Sequence, residues 1–455
     1  AEMAYNVALR DPTVRGLVIT GFAYTMQADH QRPANMLMVI GKYDEYRRRM
    51  TGVRDIRKEW MSSEQTRKVI PVANPEIGTT YGDFSAGTAR RVFVPNVTHV
   101  QESHNRAAIA EAVRWMQQAL KPPETDAPDA LQQIWPIKEG ATLVAMLAGI
   151  FSILPLGALL LHIKWFTSLK GTASPVFACD GRAYLTQAAV TGSLLWLYLP
   201  LIFVLFGIHV YLVPIDKAFP MMMVNAVVWW FLCINMIGFF IFRRWFKRQN
   251  RQRGLTLADM GISFKEEVFH LDGRQLAKTA VAAVLLFLFA YLAEHLLERI
   301  FIVDFRCIFP FASDLTPFRV RMWFLYFPFL LLGFLQTGVF LHGQIRRPPK
   351  PSRLGTFFSW SFYNLAAMLV PLFLFLCLQY IPLFTTGFIP LVGPGGMFVS
   401  FVLNLFHLIA VLCMVIPIST WFFQLTGKIY LGAILNAALV AWMFTSSQVI
   451  APIPV

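Results

Sequence analysis

Cysteine is scarce in this sequence and forms no motif. Five occur in 455 residues (Cys179, Cys233, Cys307, Cys377 and Cys413), and none makes a C-x-x-C pair. Neither a disulfide framework nor a zinc site is indicated. Cys233, Cys377 and Cys413 lie inside apolar runs, where cysteine behaves as a small hydrophobe. Charge is also in short supply, at 15% of residues against 56% hydrophobic. A single soluble globule of that composition is excluded. Several chemical signatures are missing too: no H-E-x-x-H, no phosphate-binding loop and no G-x-S-x-G elbow. The turn-rich Tyr81–Arg90 stretch lacks the lysine and helix that a phosphate loop needs. No cofactor or metal is expected.

What charge there is has a pattern. Acids and bases are mixed in the first 140 residues, and from Gly140 onward long apolar runs dominate. This predicts a soluble domain (1–120), a linker (121–140) rich in Pro, Asp and Glu, and a helical membrane domain (141–455). About eight spans are expected: 141–162, 188–213, 218–242, 280–297, 322–341, 357–378, 397–418 and 429–450. The net charge of +14 is carried largely by basic clusters between spans, such as Arg243–Arg253 and Arg346–Arg353. The positive-inside rule places those loops in the cytoplasm and, by counting back, the first 140 residues outside it. That pattern argues for a lipid bilayer as partner and against nucleic acid.

Within the soluble part, Val14–Gly21, Met36–Gly41 and Val92–Val94 read as short strands, the first two ending in glycine. Ala1–Arg10 and Ala107–Leu120 read as helices, the second with Ile109, Val113 and Met116 on one face, and Glu45–Lys68 as a long, charged surface helical insertion. Strands alternating with helices predict an α/β domain with a parallel sheet, whose functional side chains sit beyond the carboxyl ends of the strands. Asp44 and His99 fall there. A histidine on a loop just past a strand is well placed as a general base. His104 is the rival base, set less favourably at the start of a helix. Among the membrane residues, Glu294, His295 and Glu298 form the one acid–histidine group near a span, which reads as an interfacial ion cluster more readily than as a metal site.

The order helix, DPTVRGLVITG, NMLMVIGKYDE, RRVFVPNVTH, helix resembles the carboxyl-terminal half of the α/β-hydrolase family. The resemblance implies that Asp44 is the acid and His99 the histidine of a catalytic triad. It also implies a nucleophile preceding both, on an elbow before the helix Ala1–Arg10, carried by a preceding segment or another chain. The function implied is that of a membrane-anchored serine hydrolase acting on an ester, thioester or amide. Two other readings fit the same residues: a catalytically inactive, hydrolase-like scaffold working with other membrane subunits, and a transporter with an accessory soluble domain.

Overall fold

The computed structural model describes residues 1–121, 127–393 and 396–450. They are mostly helical and fall into two compact units: residues 1–136 with 377–400, and 137–376 with 401–455.

The first unit is built on a three-stranded parallel sheet: β1 (Leu17–Thr20), β2 (Met36–Val39) and β3 (Arg90–Phe93), in that order. Leu17 pairs with Met36, which in turn pairs with Arg90. Every residue of β2 is buried, whereas β1 and β3 alternate. The continuous apolar run Met36–Ile40 is thus the signature of a central strand covered on both faces. Helix α1 (Glu2–Arg10) contributes Tyr5 and Ala8 to the core on one face, with Ile19, Met38, Trp60 and Val92. Trp115, on the last helix of the domain, packs with Leu37, Val39, Ala89 and Ala108 on the other face.

Asn35 sets the start of β2. Its φ of 41° is a left-handed value that asparagine tolerates better than most residues. Its amide donates to the carbonyls of Arg15 (2.8 Å) and Phe84 (3.1 Å), and its own carbonyl receives the Trp115 indole N–H at 2.7 Å.

The 45–68 stretch is helical, as expected, but not continuously so. It is broken into α2 (Arg47–Thr51), α3 (Ile56–Glu59) and α4 (Glu64–Val69). Local chemistry explains the breaks. Gly52, at φ 72°, ends α2; Asp55 caps α3 by accepting from Arg57 N–H, and Ser63 caps α4 by accepting from Thr66 N–H. After β3 a 3₁₀ turn (His99–His104) leads into α5 (Arg106–Leu120), whose cap Asn105 accepts from Ala108 N–H. Three parallel strands make a small α/β layer, not a complete hydrolase sheet. Of the linker, residues 122–126 lie outside the described residues.

Among the described residues, eight helical segments are long and apolar enough to cross a membrane, in the order expected, and the protein is an integral membrane protein. They comprise α6 (Trp135–Phe151) with α7 (Ile153–Leu160), α8 (Gly181–Leu195) with α9 (Tyr198–Tyr211), α10 (Met222–Arg253), α11 (Gly273–Phe301), α12 (Pro317–Gly338) with the π-helical turn Val339–Gln344, α13 (Arg353–Thr386), α14 (Met397–Thr426) and α15 (Tyr430–Ser447). The first span begins at Trp135, six residues before the expected start at Ala141, because the WPIKEG stretch is already helical. Helix α15 is buried along nearly all its length. Gly432 lets it approach the backbone of Ser419 on α14 closely: a Cβ at Gly432 would stand 2.8 Å from the Ser419 Cα. Such small-residue contacts are how membrane helices gain close packing in the absence of a hydrophobic drive.

Candidate acid–base site

The loops after β2 and β3 run on beside each other past the strand ends. Ile40 N–H donates to the Phe93 carbonyl (3.1 Å), Lys42 N–H to that of Pro95 (2.8 Å) and Tyr43 N–H to that of Val97 (3.0 Å). This backbone zipper brings two side chains 55 residues apart in sequence into contact. His99 Nδ1 lies 2.9 Å from Asp44 Oδ2. The Asp44 side chain is fully buried and that of His99 is 32% exposed. The second Asp44 oxygen accepts from Tyr46 N–H at 2.6 Å, and the Tyr46 ring meets the imidazole edge-on with centroids 4.9 Å apart. Glu45 accepts from the His99 backbone N–H at 2.9 Å and from the Tyr380 hydroxyl at 2.6 Å.

These contacts fix the electronics of the imidazole. A carboxylate facing Nδ1 holds a hydrogen on that nitrogen and leaves the Nε2 lone pair free to take a proton. Burial alone would lower the His99 pKa. The Asp44 hydrogen bond and the charges of Asp44 and Glu45 outweigh it and leave the pKa above the ordinary histidine value.

A third carboxyl completes the cluster, and sequence reasoning missed it. Glu102 is buried, accepts from Gly41 N–H through Oε1, and holds Oε2 at 3.9 Å from His99 Nδ1. Burial, then the charge of Asp44, push its pKa far above the usual carboxylate range. A neutral Glu102 has a hydroxyl to give to Asp44. Room for it comes from two glycines at strand ends. Gly21 follows β1 at φ 64°, and a Cβ there would lie 2.5 Å from Glu102 Oε2 and 2.8 Å from His99 Cε1. A Cβ on Gly41, after β2, would collide with the Val97 carbonyl oxygen and sit 3.0 Å from Glu102 Oε1. The available signal was Glu102 standing three residues after His99, with a glycine ending each of the first two strands. Tyr380, far along the chain, left no signal.

Asp44, His99 and Glu102 could each offer a ligand atom to a metal ion, within 4.8 Å of one another. Both Asp44 oxygens and Glu102 Oε1 already accept from N–H groups, however, and a proton on Glu102 satisfies the one remaining orphan oxygen, Oε2. The rival base is placed differently. His104 Nδ1 lies 3.0 Å from the Ser103 hydroxyl, its ring meets Trp135 edge-on, and no carboxylate pairs with it among the described residues. No hydroxyl or thiol hydrogen-bonds His99 Nε2 among the described residues.

Beside Asp44 opens a cavity of about 1110 Å³. Arg47, Arg48, Arg49 and Arg54 line it from one stretch of chain, and Phe384, Phe388 and Val392 from another. No protein-family model, curated protein or solved structure matches this chain.

Proposed function

We propose that residues 1–120 are the carboxyl-terminal half of an α/β-hydrolase-like domain, in which Asp44 and His99 serve as acid and base of a membrane-anchored serine hydrolase. The observation that carries this reading is the 2.9 Å Asp44–His99 contact beyond the carboxyl ends of parallel strands, with a buried acid and a part-exposed base. His99 Nε2 takes the proton of a serine hydroxyl as it attacks an ester, thioester or amide carbonyl. Asp44 holds the tautomer and stabilises the imidazolium, which then gives its proton to the leaving group. The serine comes from a segment or chain outside these residues. The basic loops between spans support a cytoplasmic position for themselves and an extracytoplasmic one for the acid–base pair.

The absence of a hydroxyl at His99 Nε2 among the described residues favours a second reading, an inactive hydrolase-like scaffold within a larger membrane assembly. A fluorophosphonate probe on the full-length protein separates the two. Labelling of the wild type that is lost in His99→Ala supports the hydrolase; no labelling of the wild type favours the scaffold.

A further inference from the structure

The loop between the fourth and fifth spans folds back on the helix that precedes it. Its strands β4 (Phe305–Cys307) and β5 (Phe309–Ala312) pair antiparallel. The returning chain is pinned by the Trp442 indole N–H donating to the Ser313 carbonyl (2.9 Å) and by Leu315 N–H donating to the Tyr291 hydroxyl (3.1 Å). Asp314 is thereby delivered to Glu294 and Glu298, which lie one turn apart on α11. Carboxylate oxygens of the three stand within 4.8 Å of one another.

Glu294 makes this more than a cluster of acids. It is 0% exposed, and neither of its carboxylate oxygens has a hydrogen-bond partner among the described residues. A buried carboxylate with no donor is costly, and two more carboxylates beside it raise the cost. The cations nearby do not answer it. Arg299 reaches Asp314 at 3.7 Å through a side chain that is 70% exposed, and Arg306 is engaged with Asp304 at 2.8 Å. His295 Nδ1 faces Asp314 Oδ1 at 2.6 Å, fixing the orientation of that carboxylate while leaving Glu294 bare.

We propose that Glu294, Glu298 and Asp314 bind one hard divalent cation of the Ca²⁺, Mg²⁺ and Mn²⁺ class, with His295 as a positioning residue. The donors are all carboxylate oxygens, each able to bind through one oxygen or two, which is the ligand chemistry of hard cations and not of thiolate-seeking ones. The ion ties the returning loop to the end of α11, so its binding orders the connection between two spans.

The test uses the full chain, purified in detergent and stripped with EDTA. Mn²⁺ is titrated and its free concentration followed by electron paramagnetic resonance, with Ca²⁺ and Mg²⁺ as competitors. One Mn²⁺ per chain is expected, lost in Glu294→Gln, weakened at least tenfold in Asp314→Asn and about tenfold in His295→Ala, and unchanged in Glu266→Gln, an exposed control. Thermal unfolding of the wild type in EDTA against Mn²⁺ gives a second readout that needs no variant, and a higher midpoint with the ion is expected. No bound Mn²⁺ and no midpoint shift would mean that the cluster holds protons alone, and the proposal fails. Unchanged affinity in both Glu294→Gln and Asp314→Asn overturns it equally.

Discussion

Glu102 Oε2 lies 3.9 Å from His99 Nδ1, the same nitrogen that Asp44 holds at 2.9 Å. Two carboxyls facing one imidazole nitrogen cannot both be charged cheaply, and the buried Glu102 is the one that keeps its proton. The consequence for stability has a definite sign. A group whose folded pKa is raised stabilises the fold below its unfolded value and loses that contribution as the pH rises through the folded value. The thermal midpoint of the wild type is therefore expected to fall on the alkaline side, from above the ordinary glutamate range upward. Glu102→Gln keeps the shape and removes the charge. It is expected to fold normally at neutral pH and to flatten the alkaline decline, measured by tryptophan fluorescence, which Trp60 and Trp115 report from this unit. A variant with the same alkaline slope as wild type would show that Glu102 is not the titrating group.

Asp44→Asn tests the tautomer argument. An amide in place of the carboxylate can turn its NH₂ toward Nδ1 and favour the wrong tautomer, so probe labelling is expected to slow by up to about 10⁴-fold. Labelling requires neutral His99 and should rise with pH through the raised histidine pKa. Without the Asp44 charge, burial dominates and the residual rate should reach its half-maximum at lower pH. A pH–rate profile of wild type against variant reads both effects. A midpoint that stays put would sever His99 from Asp44.

Much of this site was open to sequence reading, for physical reasons that can be named. The apolar runs ending at Gly21 and Gly41 marked β1 and β2, the second because a central parallel strand has no polar face, and the chemistry of such a sheet placed Asp44 and His99 beyond its edge. Glu102 stayed hidden because its burial depends on space left by glycines on two other strands, which no local pattern encodes. The 45–68 stretch reads as a helical insertion and is helical, and its division into short helices follows from the local capping chemistry of Gly52, Asp55 and Ser63. The joining of residues 377–400 to the first unit was also illegible, since it rests on contacts such as Tyr380–Glu45, 335 residues apart.

Gly21→Ala should separate geometry from folding. The new methyl would meet Glu102 Oε2 and His99 Cε1, both side-chain atoms that can give way, at a backbone φ of 64° that disfavours alanine. A loss of about 1–2 kcal/mol in stability is expected, with a larger proportional loss of probe labelling as the imidazole shifts. Gly41→Ala meets a backbone carbonyl, which cannot swing aside, and is expected to be the more destabilising of the two. Denaturation midpoints and labelling rates on both variants check the order. Equal labelling in wild type and Gly21→Ala would mean that the methyl leaves the imidazole in its working position.

Glu45 supports the histidine from its backbone side and is itself supported by a distant tyrosine. One oxygen accepts from His99 N–H at 2.9 Å and the other from the Tyr380 hydroxyl at 2.6 Å. Burial pushes the Glu45 pKa up, while the Tyr380 hydroxyl, the His99 N–H and Glu45's own backbone N–H favour its ionised form. Tyr380→Phe removes one donor while keeping the ring, so Glu45 should become harder to ionise and less firmly placed. A cost of about 1–3 kcal/mol is expected, the range for a buried acceptor left unmade. Because the Glu45 charge helps to raise the His99 pKa, the labelling profile should also move slightly to lower pH, in the same direction as in Asp44→Asn but by less. A stability loss with no movement of the profile would confine Tyr380 to holding the fold. Movement without a stability loss would mean that the hydroxyl acts on the charge of Glu45 alone.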